Sequence, residues 1–234
     1  MPKHGKTYNA DAEKIEKAHL HTLDEAISGL KQFSGRKFDQ TVEGSVRLAV
    51  DSRKAEQMVR GSLILPNGTG KTQIVLVFAR DAAAEAATEA GADFVGAEDL
   101  AEKIQGGWTD FDVAIATPDM MSVVGRLGRI LGPRGIMPNP KTGTVTPDVA
   151  QAVNDAKGGK VDFRVDRGGN VQAPLGKLSF TEEALKENIS AFFEALARAK
   201  PAAHKGPYIR SATLSGTMTP GFRIDRAELA TLTK

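Results

Sequence analysis

LPNGTGKTQIVLVFA, residues 65–79, is the stretch whose reading decides the fold. Two glycines, a lysine and a threonine stand there in the manner of a nucleotide phosphate loop, followed by a nearly continuous apolar run. The loop pattern GxxxxGK[ST] needs a glycine five positions before the second one, so that the intervening amides can wrap the phosphates. Gly70-Lys71-Thr72 therefore requires glycine at 65, where the residue is Leu65. The order of elements disagrees as well: a phosphate loop ends a strand and opens a helix, whereas QIVLVFA at 73–79 reads as a strand. A dinucleotide GxGxxG fails because Gln73 stands at its third glycine. The glycines read instead as a junction between two architectures.

Downstream of the junction, strand and helix alternate. QIVLVFA leads to alanine-rich DAAAEAATEAGA, short DFVG, helix-like AEDLAEKIQ, the strand DVAIA, and a helix expected to open at Thr117-Pro118-Asp119, with threonine as N-cap and proline in the first turn. Short apolar strands separated by helices imply a parallel sheet covered on both faces, a three-layer α/β/α, Rossmann-like unit.

The flanks differ. Val42, Gly44, Val46, Leu48 and Val50 alternate with Thr41, Glu43, Ser45 and Arg47, the pattern of a strand with one wet face. The alternation returns at Val161, Phe163 and Val165, then a DRGGN turn at 166–170 and a strand through Val171, which reads as an antiparallel hairpin. PYIRSATLSGTM places Ser211, Thr213, Ser215 and Thr217 in one row. Ser179 with Glu182 resembles a capping box, after which Leu185, Ile189, Phe192, Phe193 and Leu196 form an apolar stripe closed by Pro201. The first segment, one strand and the helical stretch 11–33, holds too little sheet to stand unaided. The expected fold is thus α/β in two domains. One is a discontinuous α+β domain with an antiparallel sheet, residues 1–68 plus 159–234; the other is the inserted Rossmann-like domain, residues 69–158.

Composition bounds the function. The 234 residues, 41% apolar and 26% charged, contain no apolar run long enough to span a bilayer, so the expected protein is soluble and has no membrane partner. No cysteine is present, which excludes thiolate metal sites and suits a reducing cytoplasm. The net charge of +2 is small, but its distribution is uneven. Arg126, Arg129, Arg134 and Lys141 lie between Asp119 and Asp148 with no acid, and Arg198, Lys200, Lys205, Arg210 and Arg223 lie between Glu194 and Asp225 likewise. Such gaps fit anion-facing surfaces or scattered solvated cations equally. His19 and His21, two apart on an expected helix, point to different sides, and His4 and His204 sit in basic segments, so neither metal nor cofactor is expected. Asp110, Asp112 and Asp119 surround a strand end where α/β enzymes bind ligands, but turn and cap duties explain them as well. No nucleophile arrangement of the GxSxG or Ser/His/Asp kind occurs, and no enzyme is expected.

GPRGIMPNPKTGTVTP, 132–147, reads as neither helix nor strand and contains no acid; its prolines extend the backbone, its glycines permit close approach, and Arg134 and Lys141 suit phosphates. GRILGPRGIMPNPKTGTVT closely resembles the signature of the bacterial large-subunit ribosomal protein L-one family, the protein of the mobile lateral stalk. MPKHGK at 1–6, RKFDQTVE at 36–43, LPNGTGK at 65–71, FRVDRGG at 163–169, APLGK at 173–177 and TMTP at 217–220 extend the resemblance along nearly the whole chain, in order.

The resemblance implies a non-enzymatic, two-domain RNA-binding protein. Its partners would be large-subunit ribosomal RNA at the stalk, deacylated tRNA at the exit site, and its own operon messenger, which it would repress; it would act as a monomer within a cytoplasmic ribosome. The positions matching the family's main RNA surface are Lys37, Phe38, Thr41, Glu43, Asp166, Arg167, Ser211, Thr217 and Met218, with Arg164 and Thr219 beside them and Arg134 and Lys141 as second-domain contacts. Two departures stand out. The family's Thr-Met-Gly-Pro is Thr217-Met218-Thr219-Pro220 here, where threonine either adds a hydroxyl contact or shifts the loop, and Arg167-Gly168-Gly169 replaces Lys-Thr-Gly, removing a hydroxyl at 168. The rival reading is a phosphate-handling or nucleotide-binding enzyme relying on Lys71 or the aspartates at 110–119.

Overall fold

The computed structural model describes residues 5–16, 19–33, 36–201, 204 and 206–232. In chain order these form α1 (Lys6–Ala12), α2 (Leu23–Gln32), β1 (Thr41–Leu48), β2 (Arg60–Ile64), β3 (Val75–Phe78), α3 (Asp81–Glu89), β4 (Phe94–Gly96), α4 (Glu98–Gln105), β5 (Val113–Ala116), α5 (Met121–Val124) and α6 (Gly128–Arg134). There follow α7 (Val149–Lys157), β6 (Lys160–Arg164), β7 (Asn170–Lys177), α8 (Glu182–Arg198), β8 (Ile209–Gly216), β9 (Phe222–Ile224) and α9 (Arg226–Leu232). The chain divides into two compact units, Met1–Gly70 with Val161–Lys234, and Lys71–Lys160. No helix among the described residues is long and apolar enough to cross a membrane.

The mixed α/β class read from the patterning is the one observed. In the first unit an antiparallel sheet has the strand order β7-β1-β8-β9. β1 alternates buried and open positions along its length because Val42, Gly44, Val46 and Leu48 point into the core. α8 closes that core with Leu185, Ile189, Phe192, Phe193 and Leu196, all at 0% exposure, each worth roughly 1.5–3 kcal/mol of burial. In the second unit the parallel sheet has the order β4-β3-β5. Alternate residues of β3 enter separate cores: Leu76 and Phe78 pack with α4, α5 and α6, while Val75 and Val77 pack with α3 and α7. Both faces are covered, as a continuous apolar strand requires.

Several local expectations are corrected. The stretch 11–33 is not one helix: α1 ends at Ala12, and Thr22 begins α2 with a reciprocal capping box, its hydroxyl accepting from the Glu25 amide and the Glu25 carboxylate accepting from the Thr22 amide. His19 and His21 are therefore not helical, and their rings meet edge to face at 4.5 Å. β6 and β7 do not form a hairpin: β6 pairs with β2, and β7 pairs with β1. The Val165 amide continues the β6 pairing to the Val59 carbonyl, and the turn after it carries the chain into the other sheet. Thr181, not Ser179, caps α8 by accepting from the Ala184 amide, while Ser179 bonds both oxygens of Asp39.

The segment from Thr117 is a chain of short turns through Pro118–Met120 and Gly125–Leu127 rather than one helix, and the Thr117 side chain makes no cap bond. The stretch 132–147 also carries structure. Gly132–Arg134 is the last turn of α6, Pro140–Thr142 is a 3-10 turn, and Val145 bridges Ala116.

Candidate functional site

The open face of the antiparallel sheet is built from the positions left over when β1 and β8 fill the core. Across β1 and β8, Glu43 lies opposite Ser215, Ser45 opposite Thr213, and Arg47 opposite Ser211. On the other flank Glu43 faces Pro174, Ser45 faces Gln172, and Arg47 faces Asn170. Hydroxyls, one carboxylate and guanidinium groups thus share one surface, with Arg223 on β9 opposite Thr213.

One end of this face is made by both ends of the chain. The Thr41 amide donates to Thr217 Oγ1 at 3.1 Å, and the Thr217 amide donates to the Thr41 carbonyl at 3.1 Å. Buried Gln40 accepts from the Met218 amide at 2.9 Å. Arg36 donates to the Met218 carbonyl and to buried Asp11 of α1, each at 3.1 Å. With its backbone held on both sides, Met218 exposes 55% of its surface, and Phe38 exposes 49%. Lys37 and Glu43 are exposed beside them, and Lys177 Nζ donates to Thr41 Oγ1 at 2.9 Å.

Thr219 departs from expectation. It is buried, and its hydroxyl accepts from the Gly216 amide at 2.8 Å, closing the turn that projects Met218. It adds no surface hydroxyl: the bond that fixes the turn also withdraws the side chain from solvent.

Asp166, Arg167 and Ser211 lie at the opposite end of β1. Seven residue steps of strand separate the ends, roughly 24 Å at ~3.4 Å per residue. Asp166 is exposed and organises its own turn: Oδ1 accepts from the amides of Gly168 and Asn170, both at 2.8 Å. The Asn170 amide, with the Asn170 side chain next and the Gly168 amide contributing less, holds this carboxyl below the usual aspartate range. Arg167 extends from that turn, its carbonyl accepting from Ser52 Oγ at 3.2 Å. Arg164 does not join the face, since its strand β6 belongs with β2; its guanidinium lies 3.9 Å from Met58 Sδ. The predicted residues therefore form two clusters on one sheet, with Arg164 outside it.

In the second unit, Arg134 ends α6 and bonds Thr109 Oγ1, and exposed Lys141 sits in the turn after Asn139. That turn is fastened to the sheet, because the Ala116 amide donates to the Thr144 carbonyl at 3.0 Å and the Thr146 amide to the Ala116 carbonyl at 3.2 Å. The basic loop is a fixed presentation surface.

The glycine-rich stretch has a different duty from phosphate binding. Gly68 and Gly70 are left-handed, at φ +65° and +70°, and a Cβ on Gly70 would come within 2.6 Å of Lys177 Cγ. Buried Asn188 on α8 accepts from the Asn67 amide at 3.0 Å and donates to the carbonyls of Gly68 and Leu175 at 3.0 and 2.8 Å. Lys71 Nζ lies 2.5 Å from Asp112, whose other oxygen accepts from the Ile74 amide at the entry to β3. The lysine's hydrogen bond, ahead of its charge, holds the Asp112 carboxyl below its usual range. No helix follows Lys71 to point amides at a phosphate, so the nucleotide-loop reading is overturned by the geometry.

Residues 30–220 match the model of the ribosomal protein L1p/L10e family. The large ribosomal subunit protein uL1 of Bifidobacterium animalis subsp. lactis is 58% identical over 98% of this chain and all of its own length. The chain belongs to the L1p/L10e family of ribosomal proteins. The uL1 protein of Bifidobacterium adolescentis is 57% identical over 98% of this chain and all of its own length, and that of Streptococcus thermophilus is 55% identical over 96% of this chain and 98% of its own. The L1p/L10e match contains every predicted contact from Lys37 to Thr219. The family is one of structural ribosomal components, not enzymes.

Sequence reading put Arg47 on the wet face of its strand without naming it as a contact, and did not place Lys177, Arg223 or Gln172 on that face. The period-two alternation through β1 contained the signal for Arg47; the others needed strand pairing that no local pattern specifies.

Proposed function

We propose that this protein is a structural constituent of the large ribosomal subunit and grips ribosomal RNA at the mobile lateral stalk through the open face of its antiparallel sheet. The observation that carries the reading is the Thr41–Thr217 junction. It holds the turn that exposes Met218, on the same unit as exposed Phe38, Lys37 and Glu43, and Lys177 bonds the Thr41 hydroxyl. Folded RNA is recognised through shape, ribose hydroxyls and unstacked bases. Threonine and serine hydroxyls can exchange hydrogen bonds with ribose, Glu43 can accept from a base or a 2′-hydroxyl, Phe38 offers a ring for stacking, and the cations meet phosphates. The cluster of Asp166, Arg167 and Ser211, at the turn between β6 and β7 and the start of β8, is a second grip on the same RNA.

In this reading Met1–Gly70 with Val161–Lys234 is the RNA-gripping domain and Lys71–Lys160 the stalk arm. Arg134 and Lys141 on its fixed basic loop contact RNA, including deacylated tRNA leaving the exit site. A messenger segment folded like the ribosomal site would occupy the same face, and its capture would repress the protein's own operon. The setting is the cytoplasmic ribosome, with one copy of the chain acting as a monomer.

The test is titration of the full chain with a stalk-region ribosomal RNA fragment and with a scrambled duplex across several salt concentrations. Preference for the fragment should persist at all of them, while affinity for both falls as log salt rises with slope ≈ −0.9 or −0.7 per phosphate neutralised. Equal affinity for fragment and duplex would overturn the reading.

A further inference from the structure

A second chemical constellation lies on the N-terminal side of the first unit. The ligand atoms of His19, His21 and Glu25 all lie within 4.8 Å of one another. His19 Nε2 is 3.8 Å, and His21 Nδ1 4.0 Å, from the same Glu25 oxygen. This grouping exists only because the chain is not helical there; a helix would have turned the two imidazoles apart. His21 and Glu25 are each positioned by bonds outside the group. The His21 backbone is locked to β9 on both sides, its amide donating to the Arg223 carbonyl at 2.8 Å and its carbonyl accepting from Asp225 at 3.0 Å. Its ring packs edge-on against Phe222 at 5.0 Å. Glu25 Oε2 accepts from the Thr22 amide at 3.0 Å, which orients the carboxylate and leaves further lone pairs on both oxygens.

We infer that His19, His21 and Glu25 form a binding site for a divalent transition-metal ion of the zinc type. Two imidazoles and a carboxylate are ligands such ions accept, with a fourth position left to water. Bonds of about 2.0–2.2 Å hold tetrahedral ligand atoms roughly 3.3–3.5 Å apart, so the three groups must close by about an ångström. His19 and Glu25 have the freedom to do so, their side chains being 51% and 56% exposed, while His21, at 12%, stays fixed as the anchor. Among the described residues no hydrogen-bond partner engages buried His21 Nε2, so no bond there fixes the ring's tautomer. Among the described residues the recess beside the rings is bordered by Glu16 and by Arg223, with Glu25 close by. A bound ion would fasten the chain between α1 and α2 to the helix cap at Thr22. Since α1 carries Asp11, which reaches the Met218 carbonyl through Arg36, the metal would brace the support of the Met218 turn.

The experiment uses untagged, chelator-stripped full-length protein titrated with Zn²⁺ by calorimetry and with Co²⁺ by visible absorption. One ion per chain is expected, with the Co²⁺ spectrum of a low-coordinate nitrogen and oxygen site. His19→Ala and Glu25→Gln should each weaken binding by about tenfold or more, and His204→Ala should leave it unchanged. His19 is exposed, so its variant should fold as the parent does, which circular dichroism checks. Absence of binding at millimolar ion, or an affinity that His19→Ala leaves intact, would overturn the assignment.

Discussion

Thr41 and Thr217 are 176 residues apart in sequence and joined by two backbone-amide hydrogen bonds, amide to hydroxyl in one direction and amide to carbonyl in the other, both at 3.1 Å. That reciprocity joins the strand that begins the sheet to the turn that follows β8. The Thr217 hydroxyl is therefore partly committed within the protein, and its hydrogen lies toward the Thr41 carbonyl at 3.4 Å. In the proposed function its part is to hold Met218 in place.

Thr217→Ala should accordingly weaken affinity for the stalk fragment and destabilise the fold by about 1 kcal/mol, the net worth of one hydrogen bond. Thr217→Ser, which keeps the hydroxyl, should restore both. Urea denaturation and fragment titration of the two variants check this; affinity lost equally in the serine variant would show that the methyl group, not the bond, matters.

Asn188→Ala should destabilise the first unit by about 3 kcal/mol. The side chain is fully buried and satisfies the Asn67 amide and the carbonyls of Gly68 and Leu175. Removing it strands buried polar groups at roughly 1–3 kcal/mol each, with some relief from water at the exposed Asn67. A denaturation midpoint close to that of the parent would contradict a docking role for the glycine-rich stretch.

The Asp166 turn should be sensitive to acid. Hydrogen bonds from Asn170 and Gly168 stabilise the ionised carboxylate, so its folded pKa lies below the unfolded one. The stabilisation is fully present above the unfolded value of about 3.9 and disappears as pH falls through the lower, folded value. Amide resonances of Gly168 and Asn170 should shift together below about pH 3.9. A transition above that pH would contradict the bonding described.

Most of the strands, β2 and β9 excepted, and the main core were legible in the sequence because alternation is a local signal. Val42 to Leu48 announced both a buried and a wet face, and the apolar run at 73–79 announced a sheet covered twice. The partner of β6 was not legible. A two-fold pattern states which residues face inward but not which strand they join, and the DRGGN turn suits a hairpin as well as it suits a change of sheet. β2 escaped notice because its burial is intermediate along nearly its whole length. The position of Met218 was legible only by resemblance. Its exposure depends on Arg36, Gln40 and Thr41, more than 170 residues away, and the burial of Thr219 follows from the same non-local turn. The His19–His21 contact was hidden by the helical periodicity around it, which the Thr22 cap interrupts.

In the proposed function, exposed Phe38 and the Met218 held by the Thr41–Thr217 junction form the contact surface for stalk RNA. Fluorescence titration of the stalk fragment against Phe38→Ala, Met218→Ala and their combination measures it directly, with urea midpoints confirming intact folds. The account predicts that each single change weakens binding by about 1–3 kcal/mol, the range for a lost base-stacking contact, with an unchanged midpoint. Parental affinity in the double variant would contradict it.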